Sequence, residues 1–268
     1  MSAAIGLDHV GVIAADLGAA CAAWQALGFA PTGLARQAGA ATANHCIMLR
    51  QGYVELIGVV DRAVGSATVD RFLAGYAGIH VLTLAVADAG AAQRRLKLAG
   101  FAVELVASAR PADPAAPEGE QARFRRLPLT DADPRLQLLQ HLTPELVWQA
   151  RFLSHPNHAV ALEAVVVAAA DPAGFAARLS RAAGVAVLPD PVEGLVLALP
   201  QGVVRVVPPG ALAGIFPGMA APVLPFVAGI VVRTDDGNAA VGRILPGGKA
   251  VLGGLMAVCG GVAVVFER

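Results

Sequence analysis

One pattern recurs four times along the chain. A short apolar strand leads to an aspartate, then to an alanine-rich helix closing near a glycine, then to further strand-like runs. Such self-similarity constrains a fold strongly, because each unit leaves an apolar face that only a neighbouring copy can cover. The first copy opens on residues 7–13. Asp16 is placed to cap the helix, its carboxylate accepting free N–H groups of the first turn. The helix carries Trp24 and Leu27 and stops at Gly28-Phe29, with strand-like runs at 41–49 and 53–60. The second copy repeats this with a strand at 79–84, Asp88 as cap and a stop at Gly100-Phe101. Its later strands are expected at 103–106, 123–128 and 136–141, with 108–121, rich in Pro, Ala and Glu, as a surface loop.

The third copy starts at 163–168, with Asp171 as cap, Pro172 at the first helical position and Gly184 at the end. Its strands are expected at 194–199 and 203–207. The fourth and shortest starts at 228–233, with Asp235, a short helix to about Ile244 and last strands at 253–257 and 262–266. Alanine inflates self-similarity, so the Asp-helix-Gly-Phe match of the first two copies carries the repeat. Thr143-Pro144-Glu145 is a helix-start signature and predicts a linker helix between the two pairs. The fold class expected is α+β, four βαβββ modules forming two paired half-barrels. Residues 1–142 would be one domain, 143–158 a linker helix and turn, and 159–268 a second domain.

Bulk properties narrow the function. Hydrophobic residues make up 56% of 268, much of it alanine. The nearest candidate for a membrane span, 159–170, contains Glu163 and stops at Asp171-Pro172, short of the roughly 20 residues a bilayer demands. The first eight residues lack a basic start and an apolar run, so a cytoplasmic location is expected. Lys+Arg and Asp+Glu are both 20, and no basic stripe marks a nucleic-acid partner. Arg123, Arg125 and Arg126 alternate with Phe124 and Leu127 like the exposed face of a strand. Cys21, Cys46 and Cys259 have no paired metal spacing and read as reduced thiols. No P-loop, nucleophile elbow or dinucleotide glycine signature occurs.

Leu7-Asp8-His9-Val10 with Asp16 and Leu27-Gly28-Phe29 resembles the opening of a vicinal-oxygen-chelate module. Ala43-Asn44-His45, Gly52-Tyr53-Val54-Glu55-Leu56-Ile57, the stretch 140–148 and His155-Pro156-Asn157 are similar to the glyoxalase-like branch of that superfamily. The resemblance implies paired modules curling around a cavity that often holds one divalent metal, with ligands on the first and fourth strands of each module. Lyases, isomerases, extradiol dioxygenases and non-catalytic drug-binding proteins all use this scaffold, so the fold does not choose among them.

His9 and Glu55 match the two ligand positions of the first module. An imidazole beside a carboxylate suits Fe, Mn, Zn or Ni, and Glu55 is also the expected catalytic residue. By strand parity His9, Gly11 and Ile13 share one face, Tyr53, Glu55 and Ile57 another, and Val10 and Val12 face the helix. In the second module Val81 falls on the ligand position and His80 is one residue off. A bulge would be needed to bring His80 in as a ligand. Gln137 or Gln140 stands where a carboxylate would, and Gln140 is the expected fourth ligand. His45, Tyr53 and His141 are expected to contact substrate. Ala164 and Ala228 stand at the corresponding first-strand positions of the last two modules, so that half lacks a metal site. The function expected is a divalent-metal-dependent lyase, isomerase or dioxygenase on a small oxygenated molecule. The alternative is a metal-free binding or resistance protein using the same cavity; a homodimer through the second half is a further option.

Overall fold

A computed structural model of the chain describes residues 3–36, 40–251 and 253–268. The first module is β1 (Ala4–Ile13), α1 (Leu17–Ala26), β2 (Ala35–Arg36), β3 (Thr42–Met48) and β4 (Tyr53–Val59). A connecting helix, α2 (Ala67–Gly75), leads to β5 (Gly78–Val86), α3 (Ala89–Leu98), β6 (Val106–Pro111), β7 (Gln121–Leu129) and β8 (Arg135–His141). The third module is β9 (Ala159–Ala168), α4 (Pro172–Ala183), β10 (Leu188–Pro189), β11 (Leu195–Ala198) and β12 (Val203–Val207). A short α5 (Leu212–Ile215) precedes β13 (Phe226–Thr234), α6 (Ala239–Ile244), β14 (Lys249–Val251), β15 (Gly254–Cys259) and β16 (Val262–Glu267). Each module is βαβββ, and the chain is mixed α+β with strands dominant. Among the described residues no helix is long and apolar enough to cross a membrane.

The aspartates act as the sequence implies in three modules. Asp16, Asp88 and Asp171 accept the backbone N–H of Ala19, Ala91 and Gly174 at 2.9, 3.0 and 2.9 Å. In the fourth, Asp235 does not cap. It binds Arg50 and His158, while Asp236 accepts from Ala240 N. Gly28 ends α1 at φ 80°, and a Cβ there would meet Ile244 Cδ1 at 2.6 Å, so conformation and packing both require glycine.

Strands β2-β3-β4-β1-β5-β8-β7-β6 run in that order in the first half, and β10-β11-β12-β9-β13-β16-β15-β14 in the second. In each half the two leading strands pair antiparallel, and each pairs parallel with the last strand of its own module. The halves meet through Val227↔Ile79, a Gln51↔Ala161 bridge and a 2.8 Å bond from Leu7 N to Gln201 O. One buried cluster takes in Trp24, Leu96, Leu179 and Val241 from the helices with Val10, Leu82, Val165 and Ile230 from the strands. The helix-facing sides of both sheets therefore share a core, and His9, Gly11 and Ile13 are left to the concave side.

The linker differs from expectation. It forms two 3₁₀ turns, Pro144–Leu146 and Ala150–Phe152, and no α-helix. The Thr143 hydroxyl that would cap a helix instead accepts Arg123 N from β7 at 2.8 Å. The segment is pinned to the first module by Trp148 Nε1 on Leu49 O, His155 on Met48 O and Asn157 Nδ2 on Leu27 O. The stretch expected as a surface loop also differs, since β6 continues through Ser108, Ala109 and Arg110 to Pro111.

Candidate functional site

Strand parity turns one set of side chains into the concave face of the first half. Register fixes their neighbours. His9 lies opposite Tyr53 on one side and Thr83 on the other, Gly11 opposite Glu55 and Val81, and Thr83 opposite Gln137. His9, Tyr53, Glu55, Val81 and Gln137 floor a cavity of about 360 Å³. Gly11 keeps the floor open, as a Cβ would stand 2.9 Å from Val81 Cβ.

A polar chain runs through the floor. Gln137 Nε2 donates to Thr83 Oγ1 at 2.8 Å, and Thr83 Oγ1 lies 3.0 Å from His9 Nε2. On the far side of the ring, His9 Nδ1 is 2.6 Å from Asp8 Oδ1, and His141 Nε2 is 2.7 Å from Asp8 Oδ2. Burial alone would raise the Asp8 pKa. Hydrogen bonds from His141 and His9, and their charge, outweigh it and hold the carboxyl at about 2. Asp8 is thus a buried anion bound to His9 Nδ1 on one side of the ring, while Nε2 on the other side faces Thr83 and Glu55. Asp8 reaches its own neighbour because it is the extra residue of a bulge between the Leu7–Leu84 and His9–Thr83 pairs.

Glu55 is fixed in a similar way. Asn44 Nδ2 donates to Glu55 Oε1 at 2.6 Å, and Glu55 Oε2 stands 3.7 Å from His9 Nε2. Asn44 Oδ1 is buried with no hydrogen-bond partner. Tyr53 stacks on the His9 ring at 4.4 Å, and burial, with the Asp8 charge, pushes its phenol well above its ordinary pKa.

Four arginines line the same cavity. Arg36 is paired with Asp61 at 3.0 Å. Arg110 donates to Cys46 Sγ at 2.8 Å and sits 5.8 and 5.7 Å from the Tyr53 and Phe124 ring centres. Arg126 Nε donates to Ser108 Oγ at 3.0 Å, and Arg135 lies 5.6 Å over the Phe72 ring. Arg126 thus belongs to the cavity face, and only Arg123 and Arg125 take the exposed face expected of all three.

Of the residues singled out from sequence, the structure places His9, Glu55 and Tyr53 in the cavity. His80 is the bulged residue between the Gly11–Val81 and Val12–Ile79 pairs, but the bulge does not turn it inward. Its ring lies between Phe72 and Tyr76, centroids 4.6 and 3.9 Å away, with Nε2 on Tyr76 O; Val81 takes the cavity position. Gln140 lies outside the cavity, accepting Ala89 N at the start of α3 and donating to Ala87 O. Gln137 is the glutamine facing His9. His45, on the reverse face of β3, has Nδ1 on Thr32 O at 2.8 Å. His141 sits behind Asp8 rather than in the cavity wall.

Among the described residues the second half has no counterpart. The register that sets His9, Glu55, Val81 and Gln137 together sets Ala164, Arg205, Gly229 and Val265 in the same four places. Gly229, not Ala228, holds the fourth module's first-strand position, because a bulge separates the Val227 and Gly229 pairs. Arg205 is bound to Asp190 by bonds of 2.7 and 2.9 Å. Leu212 and Phe216 pack among Val166, Ala168, Ala263 and Val265 on that concave side.

Paired βαβββ half-barrels with a histidine and a glutamate converging in the first define a vicinal-oxygen-chelate scaffold. The profile of the family described as glyoxalase-like domain matches residues 7–183, more than half of the chain, and the chain belongs to that family. No curated protein sequence matches it. Among solved structures, a hypothetical protein from Staphylococcus aureus aligns at TM-score 0.69 and 12% identity, over 100% of this chain and 99% of that one. The Mn(II)-bound glyoxalase from Novosphingobium aromaticivorans aligns at 0.60 and 14%, over 99% and 82%. A mutant of 4-hydroxymandelate synthase from Streptomyces coelicolor aligns at 0.59 and 15%, over 90% and 75%. At these identities the likeness carries the fold alone.

Proposed function

We propose that this chain is a glyoxalase-like enzyme acting on a small oxygenated organic molecule, with residues 1–142 as the working unit and 159–268 as its support. The observation that carries the reading is the facing pair, His9 Nε2 and Glu55 Oε2, 3.7 Å apart on a cavity floor and each held from behind.

The donor set fits one divalent ion, weakly held. His9 and Glu55 are two strong donors of the kinds that suit Mn, Fe, Zn or Ni. The His9–Asp8 contact is the carboxylate–imidazole arrangement that orients a ligating histidine. Gln137 offers only an amide oxygen and Val81 nothing. Among the described residues no three His, Cys, Asp or Glu side chains are grouped to hold a metal. A bound ion would polarise neighbouring substrate oxygens as a Lewis acid. The chain's own residues do the rest. Asp8 holds the His9 tautomer, Tyr53 fixes the plane of the ring, and Asn44 leaves Glu55 Oε2 directed at the cavity. Glu55 is the group positioned to take a proton from the substrate and return it.

Protein purified without chelator, then stripped and titrated with Mn(II), tests this. One ion per chain is expected, lost in His9→Ala with the fold kept. No binding at millimolar Mn(II), or unchanged binding in His9→Ala, overturns it. The second reading is a metal-free binding protein, favoured by Val81 and Gln137 at two of the four ligand positions. It gains if a ligand raises the melting temperature of a chain that takes up no ion.

A further inference from the structure

Among the described residues, the cavity lining holds four arginines against a single carboxylate, Glu55. For a chain with zero formal net charge this is a local excess that calls for a reason. Two of the four have partners close by: Arg36 has Asp61, and Arg110 has the Cys46 sulfur and two aromatic faces. Arg126 and Arg135 are different. Both are half-buried and both line the cavity, where Arg126 meets the Ser108 hydroxyl and Arg135 the Phe72 ring. Burial, then the Arg71 charge, and after the opposing pull of Asp133 the Arg126 charge, bear on the Arg135 guanidinium. Like charges held near one another in a partly desolvated wall are costly unless an anion comes between them. Glu55 is not that anion, since Asn44 and His9 already engage it, and Asp133 is paired with Arg71.

We propose that the ligand of this cavity carries an acid group, carboxylate or phosphate, which docks on Arg126 and Arg135. Guanidinium groups bind such oxyanions through paired N–H donors, and Arg is the side chain suited to it. The position relates the acid group to the chemistry. Arg135 lies two residues from Gln137 on the same face of β8, a rise of roughly 7 Å, and Gln137 Nε2 is 3.5 Å from His9 Nε2. The acid group therefore sits within a short carbon chain of the His9–Glu55 pair. The cavity, about 360 Å³, lies toward the small end of ligand sites and fits a compact organic acid. This rests on the reading of the cavity as the substrate site, and not on a metal being held there.

The test is titration of the full chain, in phosphate-free buffer, with benzoate, glutarate and inorganic phosphate, with benzamide as the neutral match to benzoate. Benzoate or glutarate is expected to bind and to raise the melting temperature, benzamide to do neither, and added NaCl to weaken the effect. Arg126→Gln and Arg135→Gln are each expected to weaken acid binding about tenfold or more, with Arg126→Lys recovering part of the loss. Arg123→Gln, on the exposed face of β7, is expected to bind the acids as the wild type does. Binding of phosphate but neither carboxylate assigns the acid group to a phosphate ester and supports the proposal. Benzamide binding as well as benzoate, or both glutamine variants binding acids at wild-type strength, overturns it. Acid binding without Mn(II) binding removes the metal reading and leaves this inference standing; Mn(II) binding without acid binding does the reverse.

Discussion

The two half-barrels share strand order and register, yet their concave faces are built for opposite ends. In the first, the four central positions are His9, Glu55, Val81 and Gln137 around an open cavity. In the second they are Ala164, Arg205, Gly229 and Val265, and Leu212 and Phe216 from the α5 segment pack against that face. The same backbone curl thus makes a polar hollow when the inward residues can hold charge, and an apolar core when a helix supplies the filling. What separates a site from a scaffold here is a handful of inward side chains, not topology.

Substitutions can break that contrast, and the largest effect is expected in the filled half. Phe216 is 1% exposed, and Phe216→Ala is expected to cost about 3–5 kcal/mol in urea unfolding. Ligand binding by the remaining folded protein should be unchanged. A change in binding without loss of stability would mean that the second half takes part in the site.

Asp8→Asn comes next. It removes the buried anion that two imidazoles share, and is expected to destabilise the chain by about 3 kcal/mol. Any metal affinity should fall by roughly 10–100-fold, because the His9 ring loses its orienting partner. Unfolding at several pH values tests the same group without mutation. The folded pKa of Asp8, about 2, is below the ordinary 3.8, so its contribution is fully present above pH 4 and is lost as pH falls through 2. The loss expected is about 2 kcal/mol, and it should vanish in Asp8→Asn.

Val81→His sharpens the comparison. It puts a second imidazole at the cavity position that His80 misses, and is expected to tighten Mn(II) binding about tenfold. Ala164→His, at the place in the second half that matches His9, should add no ion. The smallest effect belongs to the exposed pair Arg233–Glu163 between β13 and β9. Arg233→Ala is expected to change stability by less than about 1 kcal/mol and binding not at all.

What the sequence makes legible is what depends on near neighbours. Caps at Asp16, Asp88 and Asp171 and the stop at Gly28 follow from local backbone chemistry. The placement of His9, Tyr53 and Glu55 on the concave side follows from alternation along a strand. Parity also disfavoured His80, and its aromatic neighbours Phe72 and Tyr76 come from α2 and the turn after it. The arginines were hidden for another reason. Alternation puts Arg126 on the face opposite Arg125 but does not say whether that face meets water or a cavity; the curl of the sheet decides it. Arg110 lies in a stretch whose Pro, Ala and Glu content reads as a loop, while pairing with β7 extends the strand through it. Asp8 stands beside His9 in sequence, where adjacent strand residues ordinarily diverge, and only the bulge at that point lets them meet.

The proposed function requires one metal site, between His9 and Glu55, and none in the second half. Anomalous scattering from a crystal soaked in Mn(II) tests it most directly. A single peak per chain is expected, within bonding distance of His9 Nε2 and the Glu55 carboxylate. A peak on the concave face beside Phe216, or none near His9 at saturating Mn(II), would contradict it.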